Sequence, residues 1–103
     1  MFFDKRKYVV DISGGKGSKN TDKLRGIVLH LIVRPQSRDT VWNMTILDLE
    51  GDELLEVYDY EGRMDYVSGL PLGKDKQEKL TIAFNKVSRN EPIKVIFKTK
   101  ELE

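Results

Sequence analysis

Between Arg25 and Arg34, apolar side chains occupy both faces of an extended segment: Ile27, Leu29, Leu31 and Val33 share one parity, and Val28, His30 and Ile32 share the other. A strand apolar on both faces is either central and covered on both sides, or it turns its second face to another subunit. Turn formers at Pro35-Gln36-Ser37-Arg38-Asp39 break it, and Thr40 to Leu49 resumes with β-formers that put Trp42, Met44 and Ile46 on one face. Two strands close the chain. Leu80, Ile82 and Phe84 alternate with Thr81 and Ala83, and Ile93, Val95 and Phe97 alternate with Lys94, Ile96 and Lys98, across a turn region from Asn85 to Pro92. Glu50-Gly51-Asp52 predicts a hairpin turn into residues 54–60. There Asp52 could also cap a helix carrying Leu54, Leu55 and Tyr58 and ending at Gly62. Val57, Tyr58 and Tyr60 and the short flanking turns favour a strand over residues 52–61. Met64 to Gly73 starts extended and becomes a loop through Leu70-Pro71-Leu72-Gly73, with polar residues 74–79 following.

Upstream, Tyr8 to Ile12 predicts a short strand, but Ser13 to Lys23 has no apolar period, and its glycines and lysines favour a mobile linker. The expected organisation is an N-terminal arm and Gly-rich linker over residues 1–24 and a β-sandwich domain over residues 25–103. Short strands about ten residues apart with polar turns between them predict an all-β fold, a small antiparallel β-sandwich or jelly-roll-like domain with a flexible N-terminal arm. Its expected core is Ile27, Leu29, Leu31, Trp42, Met44, Ile46, Leu80, Ile82, Phe84, Val95 and Phe97.

Composition narrows the chemistry. At 103 residues, 39% apolar and 34% charged, the chain suits one domain and is too polar for a membrane span. Lys plus Arg at 18 against Asp plus Glu at 17 leaves a net charge of +1, so nucleic acid is not expected as a partner. The absence of cysteine rules out disulfides, thiolate metal sites and thiol nucleophiles. No apolar run of signal-peptide length follows Met1-Phe2-Phe3-Asp4-Lys5-Arg6-Lys7. Gly14-Gly15-Lys16-Gly17-Ser18 lacks the contiguous Gly-Lys-Ser/Thr and following helix of a phosphate loop, and reads as linker. Asp48, Glu50, Asp52 and Glu53 crowd one turn without EF-hand spacing, which favours a solvated acidic turn over a cation site. His30 has no nucleophile motif to serve, so no catalytic, cofactor-binding or metal residue is expected. Trp42, Tyr58, Tyr60 and Tyr66 could form a stacking platform, although Trp42 shares parity with the core residues Met44 and Ile46. Charge is segregated: bases dominate from Lys5 to Arg25, whereas Asp48 to Asp65 holds eight acids against Arg63 alone. Such polarity suits head-to-tail or lattice contacts.

From Gly26 onwards the order of features resembles a class of small structural proteins of tailed-bacteriophage virions. The matching residues are Gly26-Ile27-Val28 with Val33-Arg34-Pro35, Thr45-Ile46-Leu47-Asp48 with Gly51, Val57-Tyr58 with Gly62, Leu70-Pro71-Leu72-Gly73, and Leu80-Thr81-Ile82 with Asn90-Glu91-Pro92. Arg89 beside Asn90-Glu91 and the basic Gly-rich arm depart from that pattern. The resemblance implies a non-enzymatic β-sandwich component of the virion, assembled in the host cytoplasm, with no catalytic residue or cofactor to carry over. The leading expectation is a capsid decoration or cement protein bound to the major capsid protein, as a homo-oligomer or within a lattice, with no membrane contact. A tail, baseplate or head-tail junction component and a carbohydrate-binding sandwich are the alternatives. The expected partner-facing residues are Phe2, Phe3, Lys5, Arg6, Lys7 and Tyr8 of the arm and Val28, His30 and Ile32 of the first body strand.

Overall fold

The computed structural model describes residues 2–24, 26–71 and 79–101, and within them every regular element is a strand. The strands are β1 (Phe2–Val10), β2 (Gly17–Asn20), β3 (Ile27–Pro35), β4 (Val41–Leu47), β5 (Glu53–Glu61), β6 (Met64–Pro71), β7 (Thr81–Asn85) and β8 (Ile93–Glu101). They form two antiparallel sheets of four, sheet I in the order β1-β8-β3-β6 and sheet II in the order β2-β7-β4-β5. First thus pairs with last, second with seventh, third with sixth and fourth with fifth, the pattern left when one long antiparallel ribbon, folded at the β4–β5 hairpin, rolls into two layers. This is jelly-roll connectivity.

The fold point of the ribbon is the acidic turn. Asp48 N–H donates to the Asp52 carbonyl at 2.9 Å, and its own carboxylate accepts the Glu50 and Asp52 N–H groups at 2.9 and 2.8 Å. That carboxylate therefore closes the turn as an Asx device. Residues 53–61 emerge as β5, because Leu55, Val57 and Tyr60 must face Ile46, Met44 and Trp42 across the ladder. Between the sheets lies one core containing Trp42, Met44, Ile46, Leu80, Ile82 and Phe84 from the sheet II side and Leu31, Val33, Val95 and Phe97 from sheet I. Trp42 is fully buried, with Phe84 edge-on at 5.7 Å and its indole N–H donating to the Gly62 carbonyl at 2.8 Å.

Three expectations need correction. In β3 the register shifts between Val28 and His30, so Leu29 is an extra residue and the alternation resets. Val28 is consequently 1% exposed in the core with Leu31 and Val33, while Ile27 and Leu29 are only half-buried. Val28 is not a partner-facing residue.

Residues 1–24 are also not a free arm attached to a body that begins at residue 25. β1 pairs along its whole length with β8, and β2 pairs with β7. Tyr8, Val10 and Ile12 lie in the core, with Tyr8 edge-on to Phe97 at 5.9 Å. An edge strand can carry a solvated face and still bury its alternate residues, which is how Lys5 and Lys7 coexist with Tyr8 and Val10.

Nor is the Gly-rich stretch a flexible linker. Ser13 and Lys16 exchange backbone hydrogen bonds around Gly14 and Gly15, whose φ values of 63° and 76° make a two-residue hairpin turn. Gly15 is fastened further, its carbonyl accepting Val87 N–H at 2.8 Å and its N–H donating to the Asn90 side chain at 3.0 Å. Residues 72–78, which include the end of the expected Leu-Pro-Leu-Gly loop, lie outside the described residues, as do the side chains of Phe2 and Phe3.

Candidate binding surfaces

Alternation along sheet I sends Ile93, Val95, Phe97 and Thr99 inward from β8 and turns Lys94, Ile96, Lys98 and Lys100 outward. β1 contributes Lys5, Lys7 and Val9 to the same outer face, and β3 contributes His30, Ile32 and Arg34. Lys5 stands directly opposite Lys98, and Arg34 opposite Lys94. Like charges placed directly across a ladder repel, so this face is held at a cost in stability. Ile32 and Ile96 are register partners in its middle, 7% and 1% exposed, and they do not form the exposed apolar face expected at Val28 and Ile32. They are flanked by long side chains whose aliphatic stems can lie over apolar neighbours while the charges stay in water.

The expected partner-facing set is therefore divided. Lys5 and Lys7 are exposed on the basic face, whereas Arg6 is half-buried and bound to Asp4 at 2.8 Å. Hydrogen bonding to that carboxylate holds the Arg6 guanidinium above its ordinary pKa and, reciprocally, holds Asp4 below its own. Tyr8 is buried, its hydroxyl accepting Asp22 N–H at 3.3 Å, and burial raises its pKa. His30 sits half-exposed beside Asp65, Nδ1 to Oδ1 3.3 Å.

At the end of the sheet where β3 stops and β8 starts, Arg34, Arg38, Arg63 and Lys94 line a cleft of about 430 Å³ with Pro35 and Pro92. Sequence reasoning missed this site, because its cations come from three separate segments, residues 34–38, Arg63 and Lys94, that only the topology brings together. The walls are pinned. Glu91 accepts hydrogen bonds from Ser37 N–H at 3.0 Å, Ser37 Oγ at 2.9 Å and Thr40 Oγ1 at 2.6 Å, tying the β3–β4 loop to the approach of β8. Burial would raise the Glu91 pKa, but the donors on Thr40 and Ser37, with the nearby Arg89 charge, outweigh it and hold the carboxyl below its usual range. Gly62 fastens the third wall, its N–H donating to the Thr40 carbonyl at 2.8 Å. Its φ of 79°, and the 2.6 Å that would separate an added Cβ from the Arg38 carbonyl oxygen, demand glycine there.

Sheet II presents the opposite sign along its β5 edge, where Glu53, Glu56, Asp59 and Glu61 are exposed. Glu56 beside Glu53 raises the Glu53 pKa, and its hydrogen bond with Tyr58 Oη, 2.7 Å, raises that of the tyrosine. Among the described residues no group of three or more His, Asp or Glu side chains is placed to hold a metal ion. The four aromatic candidates do not meet on one surface: Trp42 is in the core, Tyr58 and Tyr60 are on sheet II, and Tyr66 is on β6 of sheet I. In comparisons with known proteins, no family model and no curated sequence matches this chain.

Proposed function

We propose that this protein is a non-catalytic structural component of a bacteriophage virion, most specifically a capsid decoration or cement protein that docks on the major capsid protein. The observation that carries the proposal is charge segregation on a jelly roll: a lysine-covered outer face on sheet I and an acidic β5 edge on sheet II. Opposed charges of this kind orient a small domain on an acidic protein surface and disfavour the inverted approach. Two further supports are the resemblance of the strand-and-turn pattern to small virion proteins and the use of jelly rolls in viral capsid domains, the latter an argument by analogy of fold. Lys5, Lys7, Lys94 and Lys98 are the contacts such docking would use.

Co-sedimentation of the purified chain with phage particles lacking it tests the proposal. Binding should saturate, weaken with added salt, and drop on replacing Lys94 and Lys98 together by Glu, with the fold retained. Failure of the wild-type chain to sediment with particles at low salt contradicts it. Saturation at a few copies per particle, in place of hundreds, would move the location from capsid to tail or head-tail junction.

A further inference from the structure

We propose that the cleft between the β3–β4 loop, the β5–β6 turn and the start of β8 is an oxyanion site for a phosphate-bearing ligand, held by Arg34, Arg38, Arg63 and Lys94. It goes beyond virion docking and stands whether or not that assignment holds. Three features converge on it. The first is uncompensated charge: Arg34 and Lys94 face each other across the β3–β8 ladder, and among the described residues none of the four cations makes an ion pair and no carboxylate lines the cleft. An anion between them converts mutual repulsion into attraction.

The second feature is preorganisation. The loop bearing Arg38 is fixed by the Glu91 bonds to Ser37 and Thr40, and the turn bearing Arg63 is fixed through Gly62 to Thr40. Pro35 and Pro92 stiffen the adjoining strand ends. Little backbone order remains to be lost when a ligand arrives. The third is charge density. A cleft of 430 Å³ falls in the ~300–1,000 Å³ range of small-ligand sites. Three guanidiniums and an ammonium in that space are better neutralised by two adjacent phosphate groups, each with up to about two charges and three strong acceptor oxygens, than by carboxylates with one charge apiece. With a net charge of only +1 over the whole chain, the attraction is local to the cleft, not a long-range field.

Calorimetric titration of the full chain with inorganic pyrophosphate at low ionic strength should show saturable one-site binding that weakens as sodium chloride is added. Arg38→Gln and Arg63→Gln, both at exposed positions, should each weaken it about tenfold. Lys19→Gln on β2 should leave it unchanged. Amide shifts of the wild-type protein on titration should centre on residues 34–38, 62–63 and 92–94, which tests the location without any variant. A short single-stranded oligonucleotide separates the sources of phosphate. Competition with pyrophosphate through the same arginines assigns a phosphodiester backbone, and absence of competition assigns a soluble polyphosphate. The proposal is overturned if pyrophosphate does not saturate, if the shifts centre elsewhere, if Lys19→Gln matches Arg38→Gln, or if polyglutamate binds as tightly at the same residues.

Discussion

Glu91 ties two loops of the jelly roll together, and its removal has a calculable cost. Glu91→Ala deletes the acceptor of three hydrogen bonds, from Ser37 N–H, Ser37 Oγ and Thr40 Oγ1. Thr40 is fully buried, so its hydroxyl loses its acceptor where water does not replace it, whereas the half-buried Ser37 recovers part of its loss from solvent. A bond to a charged acceptor contributes ~1.5–3 kcal/mol, and with solvent recovery at Ser37 the sum is about 2–4 kcal/mol. With a urea m value of ~1–3 kcal/mol/M for a small domain, the midpoint should fall by about 1–2 M at neutral pH. The effect is pH-dependent with a definite sign. The folded carboxyl titrates below its unfolded value, so its contribution is complete above the ordinary carboxylate range near pH ~4.3 and is lost as pH falls through the lowered folded pKa. Urea melts of wild type and Glu91→Gln, which keeps the side-chain shape without the charge, should therefore converge in acid and separate towards neutrality. Equal midpoints at neutral pH, or a gap that persists undiminished in strong acid, would refute the reasoning.

Deleting residues 1–10 removes the β1 edge and the buried Tyr8 and Val10 side chains and uncovers Phe97; at ~1.5–3 kcal/mol per buried side chain, plus the lost ladder, cooperative thermal unfolding should disappear. A truncated chain that melts like the wild type would restore the free-arm picture. Gly62→Ala should cost about 2–4 kcal/mol in a denaturant melt, from left-handed backbone strain together with the approach to the Arg38 carbonyl, and an unaltered midpoint would contradict that geometry. Val28→Asp buries an unpaired carboxylate and should abolish folding as read by circular dichroism, whereas Leu29→Asp, half-buried at the bulge, should leave the sheet signal intact. The reverse ranking would mean that β3 runs without a bulge.

Period-two alternation made β4, β7 and β8 legible in the chain: Trp42 and Ile82 stand against polar or smaller neighbours, and Ile93, Val95 and Phe97 alternate with Lys94, Ile96 and Lys98, where Ile96 is the one apolar interruption among those three. β3 was recognisable as a strand but not in its register: with apolar residues on both parities, nothing polar marks the slip at Leu29. β2 carries no β-forming side chain in Gly-Ser-Lys-Asn, and it becomes a strand because the edge of β7 offers hydrogen-bonding partners. A signal for that hairpin was nevertheless present, since paired glycines between Ser13 and Lys16 suit the positive φ of a two-residue turn. Arg6, Tyr8 and Val10 alternating with Lys5, Lys7 and Val9 likewise carried the edge-strand pattern of β1, overshadowed by the local density of positive charge. The Arg34, Arg38, Arg63 and Lys94 cleft left no linear trace, because its closeness is created by rolling the ribbon until the ends of distant strands meet.

Quantitative mass spectrometry of phage particles purified from cells that produce this chain tests the proposed virion role most directly. The chain is expected in every preparation, at copy numbers on the scale of the major capsid protein, with release by raised ionic strength while the shell stays assembled. Particles that lack the chain, with the protein recovered only from the soluble fraction of the lysed host, would contradict the assignment.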